Sequence, residues 1–254
     1  MALTLRFTVA LAAGLVAVAG HAVPLAYEPT GLAWSAQEVE TSATPQALVI
    51  AQRAERAQQL GCRRHCERLD RIFTRLVAEA RTQTARSQAL PWSLTVVQLP
   101  DVDALALPGG QVLVSEAFID SRALTDEALA FVLAHEMAHS ILEHERQALT
   151  FARMLLAPQV ARSVQDMYVE MDFNLSLLKA MEPVMQQGEF EADELGLLLA
   201  SAAGFAPDRQ LGFIEQECAQ PAGPTPVVAT HPRMAARLAQ LRLRLPLARR
   251  LAAP

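Results

Sequence analysis

The sequence predicts an α+β fold that is mainly helical and carries a small β-sheet. Hydrophobic residues make up 52% of the 254 residues and aromatic residues only 5%, because Ala and Leu, both strong helix formers, supply most of the apolar mass. Apolar residues recur at helical spacing over several stretches, whereas only two short stretches read as strands. The charged fraction of 19% and net charge of -5 are ordinary for a globular protein, and no basic stripe predicts nucleic-acid binding.

The first 22 residues have the layout of a secretory signal peptide. Arg6 supplies a positive charge, an apolar run follows over residues 7–19, and cleavage is expected after Ala19 or Ala22. The run is shorter than the roughly 20 residues that span a bilayer, and no cysteine at its end offers a lipid anchor. We therefore predict a periplasmic or secreted mature chain without an integral membrane span.

Residues 23–44 show no clear period and are predicted to be an N-terminal extension, which leaves residues 45–254 as the main domain. The elements predicted in that domain are one long or two shorter helices over 45–87, strands over 92–99 and 111–115, a helix over 127–149, a helical stretch with breaks over 150–185, a helix over 188–203, and a final helix over 232–244 after a proline-rich loop.

Local signals mark the ends of these elements. Gly61 interrupts the first helical region, and the β-branched residues at 95–97 support the first strand. The Leu-Pro-Gly-Gly sequence at 107–110 predicts a tight turn before the second strand. Thr125 is a candidate N-cap of the next helix, and Gly204 ends the helix over 188–203.

The most informative motif is HEMAH at residues 135–139. Residues four apart on an α-helix differ by only about 40° around its axis, so His135 and His139 project from one face and can bind one Zn²⁺. Glu136 projects beside them and can act as a base toward water that the metal makes acidic. The preceding residues, 129–134, are apolar, and a metal resolves the unfavourable burial of unpartnered polar side chains. The motif in this setting predicts a zinc site.

A catalytic zinc also needs a third protein ligand and an open position. The acidic stretch EFEADELG, residues 189–196, places Glu189 and Asp193 one turn apart on a predicted helix. One of them can bind zinc while the other accepts a hydrogen bond from a ligand imidazole. On spacing alone Glu191 and Glu194 compete with Glu189, and an acidic surface helix is the alternative interpretation.

Four motifs resemble, in the same order, those of the zinc metallopeptidase family of HtpX and the CAAX prenyl proteases, which also includes soluble periplasmic members. They are ALPGG at 106–110, HEMAH at 135–139, EFEAD at 189–193 and THPRMAAR at 230–237. The resemblance implies a mainly helical, zincin-type metallopeptidase domain over residues 45–254, with one Zn²⁺ per chain. Since the membrane helices and the C-terminal helical repeats of other members are not found in the sequence, a soluble periplasmic type is expected.

The same resemblance implies roles for individual residues. Glu189 would be the third zinc ligand, Asp193 would support a ligand, and Glu136 would be the general base. His231, in the THP motif, would lie near the metal, either stabilising the oxyanion or filling the open position as a latent ligand; an ordinary loop residue is the alternative. Arg237 is a further candidate for stabilising the oxyanion.

In an oxidising compartment Cys62 and Cys66 could form a disulfide. One helical turn would place Cys62 and Cys66 on one side, near the upper distance limit for a relaxed disulfide, so a bridge would need a bend or strain. Two unrelated thiols are an equal alternative. A zinc site made of these cysteines and His65 lacks further ligands and is rejected. His144, five residues after His139, falls on another helix face and is expected at the surface.

Together these features predict a zinc-dependent metalloendopeptidase of the bacterial cell envelope that acts on unfolded or misassembled envelope proteins in quality control. An extended substrate is expected along residues 111–115, as an edge strand. The rival hypothesis is a non-proteolytic, zinc-containing chaperone or scaffold for envelope proteins. Glu136 argues against it, because a structural zinc site needs no base.

Overall fold

A computed structural model describes residues 31–156, 160–220 and 226–253, with only the backbone described for residues 43–48. The predicted signal peptide, residues 1–22, lies outside these ranges. The described chain is mainly helical with one small sheet, which confirms the predicted α+β class. Across the described ranges, no helix is both long and apolar enough to cross a bilayer.

The elements largely follow the predicted order. The helices are α1 (Ala36–Arg56), α2 (Cys66–Ala80), α3 (Ala85–Ala89), α4 (Glu116–Ser121), α5 (Asp126–Ile141), α6 (His144–Leu155), α7 (Val164–Phe173), α8 (Leu175–Ala202), α9 (Pro207–Ala219) and α10 (Met234–Leu251). The strands are β1 (Ser93–Val97), β2 (Ala104–Leu107) and β3 (Gln111–Ser115). The prediction missed α4, α9 and β2. Helix α8 is continuous where two segments were predicted, and Gly204 follows it at a φ of 84°, as expected for a helix end.

Helix α1 begins at Ala36, inside the stretch predicted to be an irregular extension. The Ser35 side chain accepts a hydrogen bond from the Glu38 backbone N–H, and the Glu38 carboxylate accepts one from the Ser35 backbone N–H. This reciprocal capping box satisfies two backbone donors at the helix start. The prediction that helix begins only near Pro45 is therefore wrong.

A disulfide closes the loop between α1 and α2. Cys62 and Cys66 are bonded with their Cα atoms 5.5 Å apart, so the bridge that the sequence left open is present. Cys62 precedes α2 and Gly61 has a φ of 96°, so the backbone bends before the helix and the pair does not span a regular helical turn. His65 pairs with Asp120 at 2.8 Å. With both sulfurs in the bridge, this cluster supplies no thiolate ligand.

Glu116, at the start of α4, anchors the same loop from inside the protein. Its fully buried carboxylate accepts hydrogen bonds from the backbone N–H groups of Arg63, Arg64 and His65, at 3.1, 2.7 and 2.9 Å. Burial raises the pKa of Glu116, but these hydrogen bonds, together with one from Gln98, outweigh burial and hold the pKa below its ordinary value of 4.5.

We expect Glu116→Gln to lower the free energy of unfolding at neutral pH by about 1–3 kcal/mol, because charge-assisted hydrogen bonds are lost. Since the pKa is lowered on folding, this stabilisation is fully present above the ordinary value of 4.5 and is lost as pH falls through the folded pKa. Urea denaturation at pH 7 and at acid pH measures both effects. A wild-type-to-variant difference that did not shrink in acid would contradict the assignment.

The three strands are ordered β1-β3-β2, with β1 parallel and β2 antiparallel to β3. Strand β3 is therefore the central strand, and both its edges are paired, so the prediction that substrate lies along residues 111–115 is wrong. The edge strands are β1 and β2, and β2 is the edge strand that lines the cleft described below. Gly109 and Gly110, at φ of 86° and 79°, form the predicted turn into β3 with positive φ values that favour glycine.

The main core forms where α2 and α8 pack with the sheet around α5. Thr125 caps α5 as predicted, since its side chain accepts a hydrogen bond from the Ala128 backbone N–H. The helix predicted over 127–149 is two helices, because Glu143 has a left-handed conformation with φ of 56°. Glu143 interrupts the helical path after α5 and turns the chain, so α6 begins in a new direction at His144.

Helices α5 and α8 approach closely at Gly196. A Cβ atom there would lie 2.9 Å from the Cα and the backbone nitrogen of His135. Because backbone atoms cannot move aside cheaply, we expect Gly196→Ala to lower the free energy of unfolding by about 1–3 kcal/mol.

Gly212 provides the matched control, since it also lies within a helix and a Cβ there meets nothing within 4 Å. We expect Gly212→Ala to stabilise the protein by about 0.5–1 kcal/mol. Urea denaturation of both variants checks the pair, and equal effects would show that the α5–α8 approach is not the cause.

Candidate metal centre

Three side chains from α5 and α8 converge to form a candidate metal centre. The Nε2 atoms of His135 and His139 are 3.2 Å apart, and each lies 3.5 Å from a carboxylate oxygen of Glu189. Tetrahedral zinc holds its nitrogen and oxygen ligands about 3.4 Å from one another. The sequence-predicted pair and third residue therefore have the spacing of a zinc ligand set.

The burial and the negative charge of Glu189 also fit a cation. Glu189 is buried, and its Oε2 atom has no hydrogen-bond donor among the described residues. Burial alone would raise the pKa of Glu189, but His135 outweighs it and lowers the pKa below its ordinary value. Burial lowers the pKa of His139 well below its ordinary value, which leaves a neutral imidazole, the form that binds metals.

Asp193 and Arg237 lie behind His135. The His135 Nδ1 atom is 3.0 Å from Asp193 Oδ1, and Arg237 binds both carboxylate oxygens of Asp193 at 2.6 and 2.7 Å. Burial tends to lower the pKa of His135, but Asp193 and Glu189 outweigh it and raise the pKa. Because its guanidinium is held by Asp193, Arg237 is placed to support His135 through Asp193, in contrast to its predicted contact with an oxyanion.

Glu136 lies on the cleft wall between the histidines and the edge strand. Burial raises the pKa of its carboxyl, and it outweighs the charge on His135, which lowers the pKa. The negative charge of Glu189 raises the pKa further, while a hydrogen bond from the Ala106 backbone opposes the shift. A raised pKa suits a base that must accept and later release a proton near neutral pH.

The centre opens into a cleft of about 700 Å³. Residues 104–109 of the edge strand and its turn form one wall, and parts of α1, α5, α6 and α8 form the others. His231 lies at the mouth, with 65% of its side chain exposed and its Nε2 atom 3.6 Å from Glu189 Oε1. It is thus close to the predicted metal, while Thr230 Oγ1 contacts its Nδ1 at 2.9 Å.

The competing carboxylates of α8 have other partners. Glu194 pairs with Arg244 at 2.8 Å on the surface, and Glu191 lies 3.2 Å from His144 Nε2. The prediction that His144 is a surface residue is wrong, because its side chain is 10% exposed and its Nδ1 lies 2.9 Å from His139 Nδ1. On a continuous helix His144 would lie about 140° around the axis from His139. The left-handed conformation of Glu143 turns the chain, so the His144 side chain points toward His139.

Three known proteins with similar sequences are proteases. The mitochondrial metalloendopeptidase OMA1 of Schizosaccharomyces pombe is 32% identical over 146 residues, which is 55% of this chain and 40% of that protein. Human mitochondrial metalloendopeptidase OMA1 is 28% identical over 163 residues, 56% of this chain and 30% of that protein. The beta-barrel assembly-enhancing protease of Escherichia coli is 26% identical over 176 residues, 63% of this chain and 36% of that protein.

The matched regions cover less than half the length of each of these relatives. The model of peptidase family M48 matches residues 63–245, well over half of the chain, and this range includes all three side chains of the candidate metal centre. The chain belongs to peptidase family M48.

Proposed function

We propose that the protein is a zinc-dependent metalloendopeptidase of the bacterial cell envelope that cleaves unfolded or misassembled envelope proteins in quality control. The main observation behind the proposal is that Glu136 lies beside a set of three side chains with the spacing of zinc ligands. These side chains are His135, His139 and Glu189, and they lie at the base of an open cleft. Peptide hydrolysis by a metalloenzyme requires a set of metal ligands, an adjacent base and a cleft large enough for the substrate, and this site provides all three.

Each part of the site has a task in this reaction. The edge strand β2 would hold an extended substrate by backbone hydrogen bonds, as exposed strand edges do in peptide recognition. A bound zinc ion supplies Lewis-acid chemistry, which lowers the pKa of water and polarises a carbonyl group. Glu136 would take the proton from the attacking water and pass it to the leaving amine. Asp193, held by Arg237, would keep His135 in its metal-binding orientation.

The envelope assignment has separate support. Disulfides persist in oxidising compartments, and the Cys62–Cys66 bridge fits an exported chain with the predicted signal peptide. The similarity to a beta-barrel assembly-enhancing protease also favours a role among envelope proteins, although the OMA1 relatives are mitochondrial.

Digestion of casein and of a chemically unfolded protein by the purified chain tests the proposal. We expect cleavage that stops after chelation and returns when zinc is added back. Suppression of client aggregation without cleavage, by zinc-loaded protein, would overturn the proposal in favour of the chaperone or scaffold hypothesis.

His231 carries a prediction of its own, because it lies near enough to Glu189 to occupy the open position of the metal. We expect the resting enzyme to be restrained in this way, so His231→Ala should raise basal casein cleavage at unchanged zinc content. The proline that follows His231 fixes the backbone beyond it, which favours a defined resting position. A fall in rate of about 10²–10³-fold would instead assign His231 to the oxyanion, and an unchanged rate would exclude both roles.

A further inference from the structure

His144 connects the candidate metal centre to a carboxylate that the predicted mechanism does not use. Its Nδ1 atom lies 2.9 Å from His139 Nδ1, and its Nε2 atom lies 3.2 Å from Glu191 Oε2. The other carboxylate oxygen of Glu191 accepts a hydrogen bond from Gln187 at 2.8 Å. The four side chains therefore form a continuous line from the metal-facing imidazole to the wall of the cleft.

The chemistry of imidazole gives this line a direction. His139 turns its Nε2 toward His135 and Glu189, so this nitrogen must keep a lone pair if it is to bind a metal. The proton of neutral His139 is then on Nδ1, which donates to Nδ1 of His144. His144 must accept there, so its own proton is on Nε2 and is donated to Glu191. With a metal at His139 Nε2, each of these nitrogens therefore has one hydrogen-bonding role.

Three elements hold the His144 ring in place. The left-handed conformation of Glu143 aims the start of α6 back toward α5. The ring packs edge-on against His139, with ring centroids 4.8 Å apart and an interplanar angle of 79°. On the α8 side the ring lies against Gly188, where a Cβ would be in ordinary van der Waals contact with it at 3.4 Å. The position of the His144 ring is thus fixed by the backbone and by packing, and the side chain is mostly buried.

We propose that His144 and Glu191 are positioning residues that hold His139 in its metal-binding tautomer and orientation. The proposal rests on the metal site of the proposed function but not on proteolysis. His135 has a separate supporting contact with Asp193, which is held by Arg237. Each of the two imidazoles would therefore have its own set of supporting side chains, and each set includes a carboxylate. Such partners tune metal affinity because they orient the ligand and raise its basicity.

Two substitutions at one position separate hydrogen bonding from packing. In His144→Asn the amide oxygen can replace Nδ1 as the acceptor for His139, whereas His144→Phe keeps a ring but has no acceptor. We expect the zinc dissociation constant of the metal-free full chain, measured by competition with a chromophoric chelator at fixed pH, to rise about 10–100-fold in His144→Phe. His144→Asn should remain close to wild type.

Glu191→Ala changes the more exposed end of the line and is expected to weaken zinc binding less than His144→Phe does. It tests the proposal even if His144→Phe does not fold, which circular dichroism of the metal-free variants shows. In the zinc-loaded wild type, ¹⁵N NMR of the histidines should show His144 protonated on Nε2 and not on Nδ1.

Zinc binding by the wild-type chain distinguishes a failure of the proposed function from a failure of the positioning proposal. A wild-type chain that binds no zinc would overturn the proposed function itself. Zinc binding by wild type that is unchanged in folded His144→Phe and in Glu191→Ala, or a His144 proton found on Nδ1, would overturn the positioning proposal alone.

Discussion

Glu136→Gln is expected to remove peptide-bond hydrolysis while leaving zinc content and folding unchanged. The amide preserves the shape of the side chain but cannot accept the proton of the attacking water. General bases contribute about 10²–10⁴-fold to rate, so the loss should be at least of that size. Burial and the neighbouring Glu189 raise the pKa of the Glu136 carboxyl, which moves it toward the range where a base is most effective.

Initial rates of casein digestion, normalised to bound zinc, measure this effect. Glu194→Gln is the matched control, because Glu194 lies on α8 but pairs with Arg244 at the surface. The control should retain wild-type rates. Comparable rates in Glu136→Gln and Glu194→Gln would contradict the role of Glu136 as the base.

Removal of either metal-facing imidazole is expected to empty the site and abolish activity. Structural zinc sites bind with about 10–16 kcal/mol shared over four ligands, so each ligand lost should weaken binding by roughly a hundredfold or more. Wild-type protein should carry about one zinc per chain, whereas His135→Ala and His139→Ala should carry almost none after dialysis against a weak chelator.

Elemental analysis measures the metal directly. His65→Ala is the control, because His65 pairs with Asp120 beside the disulfide, away from the centre. It should keep its zinc. Loss of zinc in His65→Ala, or full zinc content in both His135→Ala and His139→Ala, would show that the zinc binds elsewhere in the chain.

Local sequence signals were sufficient for one half of the candidate site. His135 and His139 are four residues apart, so helix geometry alone places both on one face, with Glu136 beside them. Glu189 comes from a different helix, and spacing could not distinguish it from Glu191. The family resemblance selected it, and the structure brings its carboxylate, not that of Glu191, to the histidine pair.

The features that were missed depend on tertiary structure or on weak local signals. Strand β2 has the sequence Ala-Leu-Ala-Leu, without the β-branched residues that favour strands, and pairing with β3 decides its conformation. Glu143 adopts positive φ although neither Gly nor Asn is present to announce a helix break. Because this conformation has no local sequence signal, neither the end of α5 nor the position of His144 could be predicted.

One missed feature was visible in the sequence. Ser35 and Glu38 have the spacing of a capping box, which is a signal for a helix start within the predicted N-terminal extension. The apolar period that follows this capping box is weak, so it gives little support to a helix there.

Anomalous diffraction from crystals of the zinc-loaded protein, recorded on both sides of the zinc absorption edge, tests the central claim most directly. We expect one zinc peak per chain, about 2.0–2.2 Å from Nε2 of His135, Nε2 of His139 and a carboxylate oxygen of Glu189. A map with no zinc peak at these three side chains, or with zinc bound only elsewhere in the chain, would contradict it.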